Sequence, residues 1–257
     1  MSRVAIVTGG TRGIGRAICE RLRDERGFTI IANYAGNDDA ARRFTEETGI
    51  ATARFDVGDH DAVIAACEAI EAEHGAIDVV VNNAGITRDG TLLKMSYEDW
   101  DAVMRTNLGG CFNTAKATFA GMKERGWGRI VNIASESGVN VPAEMIPYGV
   151  TKAAMIALGN GLAKLTRGAA VTVNTVLGGP TYSDGVASVV ESLAAAQGAP
   201  AVAIKAAVIG ENRTSLLERF IEPAEIASLV AYLASPLASA TNGAALRADG
   251  GVLTTTL

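Results

Sequence analysis

The chain has 257 residues, 48% hydrophobic and 20% charged, with 29 glycines, 6 prolines and 2 histidines. This is globular composition with ample material for a core, and it excludes collagen-like and proline-rich disordered chains. The formal charge of −5, from 23 basic and 28 acidic residues, offers no basic excess, so neither nucleic acid nor an anionic membrane surface is expected as a partner.

Short Val/Ile-rich runs alternate with longer helical patterns along the chain. A first strand is predicted over 4–8 and runs directly into Thr8-Gly-Gly-Thr-Arg-Gly-Ile-Gly15, which opens a helix over 13–26. Strand 29–34, helix 38–48, strand 51–56, helix 60–74 and strand 79–82 follow. A long helix is then predicted over 97–124, strand 129–134, helix 149–167 and strand 171–177. Residues 183–222 break the rhythm and read as a mainly helical insertion. Helix 223–234 has Pro223 in its first turn, and strand 244–248 comes last. Most strands are apolar throughout, as strands buried on both faces of a parallel sheet must be. The expected fold is α/β: a single Rossmann-like, doubly wound parallel sheet with helices on both faces. No repeat or flexible linker divides the chain, so one domain over 1–257 is expected. The insertion at 183–222 is expected to form a substrate lid over the carboxyl edge of the sheet, where ligands bind in such folds.

The glycines at 9, 13 and 15 permit a tight turn and close backbone approach to a pyrophosphate, and the helix start offers free N–H groups to that anion. The alternative is a glycine-rich turn without a ligand; the strand–turn–helix context favours a nucleotide. An NAD-preferring site usually carries a carboxylate about 20 residues beyond the glycines. Here Asn33 stands 18 residues after Gly15, and no acid occupies 32–36. Arg12, within the loop, can pair with a 2′-phosphate. NADPH is therefore expected, with NAD less favoured. Asp56, ending the third strand, can accept a bond from the adenine amino group, while Asp59 suits the helix cap.

Cys19, Cys67 and Cys111 form no CxxC pair, which argues against zinc and disulfides and for a reducing, cytoplasmic setting. With only His60 and His74 available, no metal site is expected. The N-terminus lacks the long apolar core of a signal peptide. No apolar run reaches the roughly 18 residues of a membrane span.

Tyr148-Gly-Val-Thr-Lys152 puts tyrosine and lysine at i and i+4 on one helix face. A nearby ammonium favours phenolate, so Tyr148 is expected to have a lowered pKa and to act as an acid/base. Ser135 lies 13 residues upstream, Asn82-Asn-Ala-Gly85 ends the fourth strand, and Asn107 falls within the long helix between them. In this order and at these spacings, the set resembles the classical short-chain dehydrogenase/reductase family, over nearly the full chain. That resemblance implies an oxidoreductase. Tyr148 would be its acid/base, Ser135 would orient the carbonyl, Lys152 would hold the nicotinamide ribose and Asn107 would hold a relay water. It implies cofactor contacts from Gly9, Thr11, Arg12, Gly13, Ile14, Asn33, Asp56, Val57, Asn83, Ala84 and Gly85, besides Tyr148 and Lys152. After the sixth strand it implies contacts from Gly179, Pro180 and Thr181. Gly178 replaces the family's usual proline there, and a more flexible turn is expected. A homotetramer, built through helices 97–124 and 149–167, is implied by the same resemblance.

The first half, through about Ile133, is similar to acetoacetyl-CoA and 3-oxoacyl-carrier reductases, on Asn83-Ala-Gly-Ile-Thr-Arg-Asp89 and Arg125-Gly-Trp-Gly-Arg-Ile-Val-Asn132. The second half is similar to a less defined reductase branch. Before the catalytic tyrosine it reads Gly138-Val-Asn-Val-Pro-Ala-Glu-Met-Ile-Pro147, without the glutamines of acetoacetyl-CoA reductases. The expected activity is reduction of a carbonyl to a secondary alcohol, on small-molecule 3-oxoacyl thioesters or apolar ketones. Met145, Ile146, Val189, Val190, Leu193, Val202, Ile204 and Val208 are candidate pocket residues, or else they pack the lid onto the core. Two other readings stand beside this one: a catalytically silent nucleotide-binding scaffold, and an NAD-dependent alcohol dehydrogenase.

Overall fold

The fold follows from strands that are apolar on both sides. In a computed structural model, which describes every residue except Met1, Arg26, Asn212, Arg213 and Leu257, seven parallel strands pair in one sheet. They are β1 (Arg3–Val7), β2 (Phe28–Tyr34), β3 (Ala51–Arg54), β4 (Ile77–Asn82), β5 (Trp127–Ser135), β6 (Ala170–Gly178) and β7 (Ala245–Ala248). Their order is β3-β2-β1-β4-β5-β6-β7. Successive residues of β1 serve opposite faces. Ala5 and Val7 pack with Ile18, Leu22 and Phe44, while Val4 and Ile6 pack with Val63, Ile70 and Met122.

The first set of partners comes from α1 (Gly13–Asp24) and α2 (Asp38–Thr48), joined on that face by α9 (Pro223–Ala234). The second set comes from α3 (His60–His74) and α5 (Gly110–Glu124), with Leu162 of α6 (Ile146–Leu165) beside them. Burying both faces is what makes the strands read as continuous apolar runs. The strand order reverses between β1 and β4, and all strand ends on one edge are carboxyl ends. Ligands of open α/β sheets bind at that crevice.

Several boundaries differ from the sequence expectation. The long helix 97–124 is three segments: α4 (Tyr97–Val103), a π-helical stretch Met104–Gly109, and α5. Helical periodicity is nearly unchanged across one wide turn, so the pattern does not show it. α6 starts at Ile146 rather than 149, because Pro147 sits in a first turn where it gives up no hydrogen bond. The third strand ends at Arg54, leaving Asp56 in the turn whose Asp59 caps α3. Arg26, the expected last residue of the first helix, lies outside the described residues.

The insertion contains α7 (Asp184–Gln197) and α8 (Ala201–Gly210), bent by 113° at the break between them. Asn212 and Arg213 of the same insertion are outside the described residues. Of its candidate pocket residues, Val190 and Ile204 are buried together, with Tyr182 and Val186 packed against them. Val189, Leu193, Val202 and Val208 are exposed, so they do not pack the insertion onto the core, and Val202 borders a cleft of about 450 Å³ with Lys205, Ile209 and Phe220. Among the described residues no single helix is long and apolar enough to cross a membrane.

Candidate active site

The loop after β1 is held from three sides. Thr8 Oγ1 accepts the N–H groups of Asn83 and Ala84, both at 2.9 Å, and Asn83 Nδ2 donates to Thr8 O at 2.9 Å and to Gly9 O at 3.2 Å. Asn33 Oδ1 accepts from Gly9 N at 3.2 Å. Gly15 has no room for a side chain: a Cβ there would lie 2.1 Å from Gly9 O. Gly9 and Gly13 take φ values of +61° and +54°, which other residues adopt only at a cost. The outcome is a tight backbone cradle over the start of α1, at the point where the strand order reverses.

The cradle has the chemistry of an anion site. Gly13 N donates at 2.9 Å to Oδ2 of Asp184, in the first turn of α7. A carboxylate from 171 residues away thus occupies the place where a helix N-terminus accepts a phosphate. Exposed Arg12 stands at the cap of α1, and Thr11 is buried beside it.

The other expected cofactor contacts have different fates. Asn33 is buried, and its side chain is spent on Gly9, on Phe55 O at 2.8 Å and on Tyr34 O at 3.3 Å. It braces the glycine loop. Exposed Asp56 accepts from Gly58 N at 2.9 Å. The Val57 side chain is in the core and its carbonyl is taken by Asn113 Nδ2, whereas Ile14 is only partly buried. Gly85 lies against the Asn107 amide.

Gly178 belongs to β6, paired with Ser135 on one side and Ala248 on the other. It is a sheet residue rather than part of a flexible turn, and the turn begins at Gly179. There a Cβ would lie 2.5 Å from Asp249 O, so only glycine fits without displacement. Pro180 O and the backbone of Thr181 pair with Ile221, and the Thr181 hydroxyl donates to Gly179 O at 2.8 Å.

Ser135 ends β5, and Tyr148 and Lys152 share the first turns of α6, so one sheet edge collects all three. Lys152 Nζ stands 5.3 Å from the Tyr148 ring centroid and donates to Ile133 O at 2.6 Å. Desolvation dominates both groups. It pushes the Tyr148 phenol up to about 12, against the Ser135 hydroxyl, which favours phenolate, with Glu136 and Asp89 raising it further. It brings the Lys152 ammonium down to about 8. The expected lowering of the tyrosine by the lysine is thus overturned. The ammonium is itself destabilised by burial, and two carboxylates face the phenol.

Asn107 sits in the π-helical stretch, fully buried. Its Oδ1 accepts from Ile86 N at 2.8 Å, and its Nδ2 donates to Ile86 O at 3.0 Å and Thr151 Oγ1 at 3.1 Å. Its side chain therefore ties the loop after β4 to α6. Sequence reasoning missed Thr8, Thr151, Glu136 and Asp184. Thr151 also donates to Tyr148 O at 2.7 Å. Of these, only Glu136, directly beside Ser135, carried a readable signal.

A dinucleotide cradle and a Ser–Tyr–Lys cluster on one edge of a parallel sheet define a nucleotide-dependent oxidoreductase site. The family model for short chain dehydrogenases matches residues 3–194, and the chain belongs to that family. The acetoacetyl-CoA reductase of Paracoccus denitrificans is 41% identical, over 98% of this chain and 98% of its own. The 3-oxoacyl-acyl-carrier-protein reductase FabG of Vibrio cholerae is 36% identical, over 97% of each. A crystal structure of an actinorhodin polyketide ketoreductase variant with NADPH superposes with a TM-score of 0.88 at 32% identity, covering 98% of this chain and 97% of that one.

Proposed function

We propose that this carbonyl-reducing oxidoreductase works with NADPH, on 3-oxoacyl thioesters or apolar ketones. The observation that carries the reading is the convergence of Ser135, Tyr148 and Lys152 on the sheet edge that also bears the glycine cradle. The cradle fits a dinucleotide: Gly10 and Gly15 leave no room for side chains, and its Gly13 N–H already holds a carboxylate. Arg12, with no acid at 32–36, suits a 2′-phosphate. The names of the relatives and of the ketoreductase with NADPH support both cofactor and substrate class.

When bound, the cofactor supplies hydride. The chain's own part is to orient the carbonyl and deliver a proton. Ser135 directs the substrate oxygen toward Tyr148. The phenol, held protonated by its surroundings, gives its proton to that oxygen. Lys152, with its Nζ 5.3 Å from the Tyr148 ring centroid, would hold the nicotinamide ribose. Gly179, Pro180 and Thr181 would contact the nicotinamide, and 183–222 would form the lid of a single domain.

The chain assembles as a homotetramer through α4, α5 and α6. A groove of about 930 Å³ lined by Met104, Leu108, Phe112 and Leu158, with Phe112 52% exposed, supports an apolar contact there. Three buried, unpaired cysteines suit a reducing, cytoplasmic setting.

The test is a turnover matrix of purified protein: NADPH and NADH against acetoacetyl-CoA and an aryl ketone. NADPH oxidation is expected with at least one carbonyl. Tyr148→Phe is expected to lose about a hundredfold or more while nucleotide still binds. No NADPH oxidation across the panel, or an unaffected Tyr148→Phe enzyme, refutes the reading.

A further inference from the structure

The start of α1 lacks a cap of its own. Arg12, the residue before it, makes no side-chain capping bond, and the first turn holds no acidic residue. A helix start leaves N–H groups without intrahelical partners and carries partial positive charge. The Gly13 N–H is met instead by Asp184 Oδ2 at 2.9 Å, from the first turn of α7. The start of α7 lies close over the cradle: a Cβ on Gly13 would stand 3.8 Å from Ser183 Cβ. The insertion behind it is nearly self-contained. Val190 and Ala194 of α7 and Ile204 of α8 form a buried cluster of their own, apart from the clusters on the two sheet faces. Its two ends meet where Tyr182 N donates to Ile221 O and Ile221 N to Pro180 O, both at 2.8 Å. Among the described residues, Gly13–Asp184 is the one hydrogen bond from α7 or α8 to any residue outside 181–222.

We infer that Asp184 is a latch: it holds α7 on the glycine cradle and gives up the Gly13 N–H to a cofactor pyrophosphate, so that nucleotide binding releases the insertion. The inference rests on the reading of the cradle as the nucleotide site. A backbone N–H has one proton to donate, and two anions drawn to one helix start repel each other. Asp184 is exposed and Gly13 only partly buried, so water takes over from the broken bond at small cost to the fold. The released insertion keeps its own buried cluster and its paired ends, and therefore moves as a unit about 180–182 and 220–221 without unfolding. Lid mobility and nucleotide affinity are linked through this one contact: the free energy that secures α7 is subtracted from nucleotide binding.

The experiment reads the position of α7 without turnover. The native cysteines Cys19, Cys67 and Cys111 are buried, so spin labels can be placed at Asp24→Cys on α1 and Gln197→Cys on α7. Distances between the labels are measured with and without NADPH, in labelled protein diluted into unlabelled protein. Saturating NADPH should deplete the latched distance in the otherwise unaltered chain. Asp184→Ala should show the released distances before NADPH is added, change little on its addition, and bind NADPH about fivefold more tightly, the equivalent of about 1 kcal/mol. Asp184→Asn, which keeps an acceptor without the charge, should fall between the two. Distances that NADPH binding leaves unmoved overturn the inference, as does an Asp184→Ala protein that stays latched. Failure of both Asp184→Ala and Asp184→Asn to fold overturns it too, since the carboxylate would then be structural. NADPH that does not bind at all in a fluorescence titration sinks the functional reading, whereas binding with unmoved distances sinks only the latch.

Discussion

Replacing Lys152 by methionine should stabilise the fold while removing activity. The Lys152 side chain is buried at 4% exposure, and burial brings its ammonium from 10.5 down to about 8. The unfolded chain, with the ordinary value, binds more protons than the folded one between those two limits. Stability therefore rises with pH across that window, and the penalty is fully present below the lower limit. At about 1.4 kcal/mol per unit, the buried charge costs the fold about 3 kcal/mol near neutral pH.

Methionine matches the stem of the lysine and carries no charge, but it leaves Ile133 O without the 2.6 Å donor. That loss costs about 1 kcal/mol, for a net gain of about 2 kcal/mol. Denaturant unfolding of the nucleotide-free protein at about pH 7 and about pH 10 measures this directly. The variant should be the more stable at the lower pH, and its advantage should vanish at the higher one as the wild type discharges its lysine. A variant less stable at neutral pH, or a gap that does not move with pH, refutes the reasoning.

Asn33→Asp, the obvious change to recruit NADH, should instead destabilise. The new carboxylate would face Phe55 O, now 2.8 Å from the Asn33 amide nitrogen, costing about 2–3 kcal/mol and about 5–10 °C in thermal unfolding. An unchanged melting temperature with a switch to NADH would contradict the bracing role. Gly179→Ala should cost about 1–3 kcal/mol, because its Cβ meets Asp249 O at 2.5 Å. A thermal melt equal to wild type would mean that the turn yields freely. Asp184→Ala removes the carboxylate on Gly13 N and should tighten NADPH binding by about fivefold, the value of roughly 1 kcal/mol of displaced contact. Weaker binding by fluorescence titration would show that Asp184 assists the nucleotide rather than competing with it.

Much of the architecture was legible one residue at a time. Runs such as Val4 to Val7 and Val79 to Val81 are apolar on both faces, and only a sheet sandwiched by helices buries both. The glycine spacing marked the tight turn, and the Tyr148–Lys152 spacing marked a shared helix face, because both are local facts of backbone geometry. The site's wiring was not legible in this way. Asn33 looked like a ribose contact until the pairing of β1 with β2 brought Gly9 N within reach of its side chain. Asp184 reaches Gly13 only because the insertion after β6 folds back across the crevice. The sign of the Tyr148 shift was wrong from spacing alone, since spacing registers the lysine but not the burial or the carboxylates of Glu136 and Asp89. Periodicity and spacing by themselves determined which residues form strands, turns and helix faces. Only the tertiary structure decided hydrogen-bond partners and charge states, because both depend on groups brought together from distant segments and on the water they exclude.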